Sequence, residues 1–143
     1  MDIRRLTDTD RAAWERLYAA YAEFYRVSQT PAMRATVWGW IGSGQISAFV
    51  AVQDGALIGF AHFRRYLRPL STSTGGFLDD LFVDPSARGS GAAAALIEAV
   101  KVHAVAQGWS VLRWITAEDN LRARTLYDRV ATKTPWVTYD IKL

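Results

Sequence analysis

One segment limits what this chain can fold into more than any other: Phe77-Leu78-Asp79-Asp80-Leu81-Phe82-Val83-Asp84-Pro85-Ser86-Ala87-Arg88-Gly89-Ser90-Gly91-Ala92-Ala93-Ala94-Ala95-Leu96. An apolar run of strand length, broken only by Asp79-Asp80, enters an Asp-Pro turn. It leaves that turn into a helix whose first residues are tiny. Helix N-termini present unpaired N–H groups and a partial positive charge, a combination that binds phosphate oxygens. Gly89 and Gly91 remove side chains that would keep a diphosphate off the backbone, and Arg88 adds a cation. The segment has no Gly-Lys-Ser/Thr, so it is not a nucleoside-triphosphate loop. It also lacks the third glycine and the following acid of the dinucleotide fingerprint. The competing reading is a helix start whose glycines serve close packing.

The remaining chain supplies a setting for that unit. Ile3 to Leu6 predicts a short strand, and Thr7 with Asp10 predicts a helix cap. Trp14, Leu17, Tyr18, Tyr21, Phe24 and Tyr25 recur at helical steps. Pro31 opens a second helix that Gly42-Ser43-Gly44 ends. Ser47 to Gln53 and Ala56 to Leu67 read as strands joined at Asp54-Gly55, a hairpin signal. Pro69 to Gly76 reads as a mobile loop. A helix is expected from about Gly89 to Gln107, stopped by Gly108. A strand is expected over Trp109 to Ile115, a helix over Asn120 to Val130 and a last strand over Thr134 to Leu143. The order predicts one mixed α/β domain over residues 1–143, its central sheet mostly antiparallel with helices on both faces.

Composition closes off other classes. The 143 residues include no cysteine, which excludes disulfides, thiolate catalysis and a cysteine zinc site. His62 and His103 lie far apart, so structural roles are expected and no metal. The net charge is +3, with basic residues scattered and without the aromatic-interleaved stripe of a nucleic-acid module. No run approaches a membrane span or a signal peptide, and a cytoplasmic location is expected.

The motif Arg88-x-x-Gly91-x-Ala93, preceded by Val83-x-Pro85, resembles the acetyl-CoA motif of the GNAT N-acetyltransferase superfamily. The resemblance implies that Phe82 and Val83 contact pantetheine. It also implies that Arg88, Gly89, Ser90, Gly91, Ala92 and Ala93 line the diphosphate. Downstream, Asn120-x-x-Ala123-x-x-Leu126-Tyr127 matches a second motif of that superfamily. Asn120, Ala123 and Tyr127 share one helix face. By the resemblance, Tyr127 stands near the coenzyme A sulfur as general acid. The superfamily usually continues with Gly-Phe, where this chain has Val130-Ala131.

Phe77 to Val83 also resembles the corresponding strand of spermidine/spermine N-acetyltransferases, with Asp79 in place of a glutamate that assists proton removal. A free alkylamine has a pKa of about 10.4, so the acceptor arrives protonated and a nearby carboxylate is needed. Asp79 is expected to take the proton and Asp80 to help hold the substrate. Adjacent strand residues face opposite sides, which predicts different roles. A pairing of one aspartate with Arg64 or Arg65 competes, more for Asp80 than for Asp79. His62 is a minor alternative base. Tyr21, Phe24, Tyr25, Trp38 and Trp40 are candidate pocket walls. Arg88, Arg122 and Arg124 are expected to face phosphate.

The expected activity is transfer of an acetyl group from acetyl-CoA to a primary amine by direct attack, with strand amides at the oxyanion. A small, polyamine-like acceptor is the first expectation, a protein or peptide amine the next. A non-catalytic acyl-CoA-binding module is the alternative from another class. A homodimer joined through the last strand, with Trp136 and Tyr139, is implied by the resemblance.

Overall fold

The computed structural model describes residues 1–143. Five strands form one sheet in the order β1 (Asp2–Arg5), β2 (Ser47–Gln53), β3 (Ala56–Arg68), β4 (Ser73–Val83) and β5 (Leu112–Arg113). The first four pair antiparallel, and β5 runs parallel to β4. Helices α1 (Arg11–Phe24) and α2 (Pro31–Gly42) precede β2. Helix α3 (Ala92–Ala106) separates β4 from β5, and α4 (Leu121–Val130) follows β5. No helix is long and apolar enough to cross a membrane.

Strand alternation builds two half-cores. Val50 and Phe60 join Trp14, Leu17, Leu57 and Phe82 on the α1 side. Their neighbours Ala51 and Ala61 join Phe63, Leu78, Leu96, Ile97 and Val100 on the α3 side. Successive side chains on a strand point to opposite faces, so one apolar run serves both layers. Each fully buried Phe or Leu contributes about 2–3 kcal/mol of burial free energy, which ties both helix layers to the sheet.

Local signals explain the element boundaries. Asp54 and Gly55 both have positive φ (51° and 78°), as a tight two-residue hairpin requires. Thr7 N–H and Thr7 Oγ1 donate to Asp10 Oδ2 at 2.7 and 3.0 Å. Arg4 grips the same carboxylate through two nitrogens at 2.7 and 3.0 Å. These donors hold the Asp10 carboxyl at about 2.

Three expectations fail here. Pro69 to Gly76 is not a loop: β4 begins at Ser73, and the turn is confined to residues 69–72. Gly75 and Gly76 are there for close packing. A Cβ on Gly76 would lie 2.5 Å from the Trp109 ring, and one on Gly75 would lie 2.9 Å from Tyr66. The expected strand over Trp109 to Ile115 shrinks to two residues, because β5 pairs only Gly76 with Leu112 and Phe77 with Arg113. Beyond Phe77 the far edge of β4 carries no strand. Thr134 to Leu143 forms no strand within the chain. No backbone hydrogen bond involves residues beyond Ala131, since no sheet edge of this chain meets them.

Candidate active site

A groove of about 410 Å³ runs from the start of α3, along the unpaired edge of β4, to α4. At its α3 end, Gly89 and Gly91 both adopt φ of 83°. A Cβ on either would meet no protein atom within 4 Å. Close packing therefore does not explain these glycines. Their left-handed backbone does, together with the open space above them. Ser90 Oγ accepts from Ala92 N–H at 3.3 Å, whereas the amides of Gly89, Gly91, Ala93 and Ala94 have no partner in the chain. Four free amides at a helix start, facing a groove, suit a diphosphate.

The groove contains most of what the sequence put there. Phe82, Val83, Arg88, Gly89, Ser90, Gly91, Ala92, Ala93, Asn120, Ala123 and Tyr127 all line it. Asn120 also caps α4, its Oδ1 accepting from Ala123 N–H at 3.4 Å. Arg122 is present, but Arg124 turns away and donates to Glu118 O at 2.7 Å. Arg129, five residues further along α4, lines the groove and Arg124 does not. The Tyr127 ring packs edge-on against Trp114 at 5.4 Å. Burial, with the neighbouring Tyr25, pushes its hydroxyl up to about 12, so it stays protonated. Tyr21, Phe24 and Tyr25 of α1 wall the other side. Trp38 instead packs on Trp14 at 5.2 Å, and Trp40 is half exposed.

The acidic pair departs from expectation. A bulge lies between His62 and Phe63, which face Asp80 and Leu78 respectively, so Asp79 is the extra residue on β4. Leu78 and Leu81 both join the α3-side core despite odd spacing. The bulge absorbs one residue, and both aspartates end on the α1 side. The strict alternation expected of adjacent residues therefore does not hold. Asp79 pairs with Arg64, whose Nε donates at 3.0 Å. Burial raises its carboxyl against the lowering effect of Arg64.

Asp80 has no arginine. Its Oδ2 lies 2.8 Å from His62 Nδ1 and accepts from the Tyr18 hydroxyl at 3.1 Å. The arginine partner thus falls to Asp79, the reverse of the expected preference, because Asp80 sits directly opposite His62 in the ladder. His62 is 1% exposed and both its ring nitrogens are engaged, which removes it as a base that touches substrate. Nothing in the sequence flagged Trp14 or Tyr18 as its partners.

A layered α/β domain with free helix-start amides and glycines open to a groove has the features of a diphosphate-binding protein. Comparison with known proteins is specific. Residues 14–131 match the Acetyltransferase (GNAT) family. The D-amino-acid N-acetyltransferase HPA3 of Saccharomyces cerevisiae is 29% identical over 141 residues, covering 96% of this chain and 88% of that protein. The crystal structure of a ribosomal-protein-alanine N-acetyltransferase from Brucella melitensis biovar Abortus 2308 superposes with a TM-score of 0.85 at 27% identity, covering all of both chains. The structure of AAC(6')-Iy in complex with the bisubstrate analog CoA-S-monomethyl-acetylneamine gives 0.83 at 25%, covering 99% of this chain and 97% of that one. The chain belongs to the GNAT acetyltransferase family and is an acetyl-CoA-dependent N-acetyltransferase.

Proposed function

We propose that residues 1–143 form one catalytic domain acting in the cytoplasm on a small primary amine. The observation that carries this reading is the aromatic-walled floor beside the groove. Asp79 and Asp80 lie there on the same side of β4 as Phe82. A protonated amine needs both attraction and a proton acceptor, and this pair of carboxylates supplies them next to the acyl-transfer end.

The cradle residues 88–93 hold the diphosphate, while Phe82 and Val83 border the pantetheine arm. When bound, acetyl-CoA supplies the thioester whose acyl group is transferred. Tyr127 donates its hydroxyl to the departing sulfur. A phenol at about 12 is a weaker acid than a thiol at about 8.5, a difference worth roughly 5 kcal/mol. Its role is therefore a hydrogen bond to developing thiolate charge, with complete proton transfer coming late. The unpaired edge of β4 beyond Phe77 offers backbone amides to the carbonyl oxygen.

The floor has only two carboxylates, and Arg64 compensates one of them. That charge balance favours an acceptor with a single ammonium at its reacting end over a polyamine. A zwitterionic amino acid is the second reading, supported by the cation Arg64 beside the floor and by similarity to HPA3. Thiol release from acetyl-CoA with spermidine, D- and L-alanine, neamine and an alanine-ended peptide decides between these acceptors. Turnover of the peptide alone would overturn the small-amine reading.

A second copy of the chain belongs to the same proposal. Trp136, Tyr139 and Ile141 are 79%, 90% and 89% exposed on a segment without backbone partners. That segment and the short β5 flank an open groove of about 740 Å³. Strand pairing between two copies would satisfy these groups. Sedimentation at a single-chain mass would refute it.

A further inference from the structure

The acceptor floor contains a buried hydrogen-bond chain that the acyl-transfer reading leaves without a task. Trp14 Nε1–H donates to His62 Nε2 at 2.9 Å. An indole nitrogen only donates, so Nε2 carries no proton. The imidazole is therefore neutral with its proton on Nδ1, and Nδ1–H donates to Asp80 Oδ2 at 2.8 Å. The contact is a neutral imidazole holding a carboxylate, not an ion pair. The Tyr18 hydroxyl donates to the same oxygen at 3.1 Å. Both of these donors converge on Oδ2, and the Tyr21 hydroxyl also faces the carboxylate, leaving Oδ1 without a donor from histidine or arginine.

The surroundings fit one kind of guest. Tyr18 and Tyr21 reach the carboxylate with their hydroxyls, and their rings pack edge-on against Phe60 and Phe82. Tyr21 and Phe82 continue into the groove wall. The Asp80 side chain keeps 20% exposure while His62 has 1%. The Gln29 side chain lies against the Tyr18 hydroxyl, and its Oε1 is buried without any hydrogen-bond partner. An orphaned carbonyl oxygen costs stability unless a ligand satisfies it. A partly exposed carboxylate with one oxygen unclaimed by histidine or arginine, a buried carbonyl without a partner and surrounding aromatic rings suit an ammonium group.

We propose that Asp80, not Asp79, receives the acceptor ammonium and its proton, and that His62, locked by Trp14, is the positioning residue that aims it. This rests on the small-amine reading above and names its receptor. Asp80 Oδ1 takes one proton from R–NH3⁺ and passes it to solvent. The freed lone pair forms the C–N bond at the thioester carbonyl. As the C–S bond breaks, the sulfur takes a proton from Tyr127, and the second N–H proton restores the phenol. The net change is R–NH3⁺ and acetyl-CoA to amide, free thiol and one released proton.

Two substitutions isolate the positioning role. His62→Asn and His62→Phe both strand the buried Trp14 N–H, so both lower thermal stability alike. Only Asn retains a donor near the Nδ1 position. With D-alanine, spermidine or neamine as acceptor, His62→Phe should raise the amine KM and lower kcat by about 10-fold each, while His62→Asn stays within about 3-fold. Acetyl-CoA affinity should not change in either. Equal losses in the two variants would reduce His62 to a packing residue and overturn the proposal.

A second measurement does not need turnover. Nitrogen-15 NMR of the His62 ring should show the Nδ1–H tautomer, and titration with propylammonium chloride should shift it. Asp80→Asn should abolish that shift and Asp79→Asn should leave it. An Nε2–H tautomer, or a shift that survives Asp80→Asn, would overturn the assignment. A shift without thiol release from any small amine would instead refute the small-amine reading and leave the receptor standing.

Discussion

The two ends of this active site are built from different materials. The cofactor end is mostly backbone: free amides at the start of α3, glycines at φ 83° and the open edge of β4. The acceptor end is side chains gathered from α1, β3, β4 and the turn before α2. A backbone cradle depends on a few local torsions and tolerates many side chains. A side-chain floor depends on registers between distant segments, so single substitutions there alter specificity while leaving the cradle intact.

The sharpest way to break the contrast is Gly91→Glu. The position requires φ 83°, costing about 1–2 kcal/mol for a residue with a Cβ, and the new carboxylate faces the diphosphate. Coenzyme A affinity should fall by more than about 100-fold in calorimetry. The fold should be kept, because a Cβ there meets no protein atom, and the thermal transition should drop only by the several degrees that the φ strain costs. Affinity within a few-fold of wild type would remove the cradle from the argument.

Tyr127→Phe joins the two ends. Losing one hydrogen bond to a developing thiolate costs about 2–3 kcal/mol, so kcat should fall about 30- to 150-fold. Coenzyme A affinity should stay within about 2-fold, because the ring still packs on Trp114. The pH profile tests the raised pKa. The protonated phenol is the active form and is lost only near pH 12, so Tyr127 should impose no alkaline fall between about pH 8 and 10.5. A decline with a midpoint near 10 in the wild type that disappears in the variant would contradict its burial.

The same contrast explains what could be read from residue order. The cradle is contiguous, Arg88 to Ala93, and its free groups are backbone amides, so the sequence and its resemblance named most of the residues that line this end of the groove. Tyr127 was named through the resemblance of Asn120-x-x-Ala123-x-x-Leu126-Tyr127 to a superfamily motif; helical spacing alone reads it as core. The floor was legible only as the aspartate pair. A bulge at Asp79 reversed which partner each carboxylate meets, and bulges leave no periodic mark. Trp14 and His62 are 48 residues apart, and either alone reads as core. The tail misled in another way: Thr134 to Leu143 alternates like a strand, but a strand exists only where an edge accepts it.

Asp79→Asn sharpens the comparison within the floor. Asp79 is bound to Arg64 at 3.0 Å, and that arginine also lies over the Phe77 ring at 5.1 Å. Arg64 is 42% exposed, so the ion pair itself is worth at most about 1 kcal/mol. Turnover should fall less than about 5-fold across pH, whereas Asp80→Asn should cost about 100-fold or more. If the two effects come out in the opposite order, Asp79 is the proton acceptor and the bulge aims it into the site.

The smallest expected effect concerns the exposed cations at the cradle rim. Arg88 and Arg122 line the groove but stand in solvent. Their attraction to a diphosphate acts through water, where two unit charges at 4 Å gain only about 1 kcal/mol, and salt screens it beyond about 10 Å at 0.1 M. Replacing either by alanine should weaken coenzyme A binding about 3- to 5-fold at low salt and less than about 2-fold at 0.5 M. The cradle amides are fixed dipoles in contact with the ligand, so their contribution should survive the same salt. If wild-type affinity itself collapsed at 0.5 M, the rim arginines would be the principal diphosphate site. The division between a backbone end and a side-chain end would then be wrong at the end where it looks clearest.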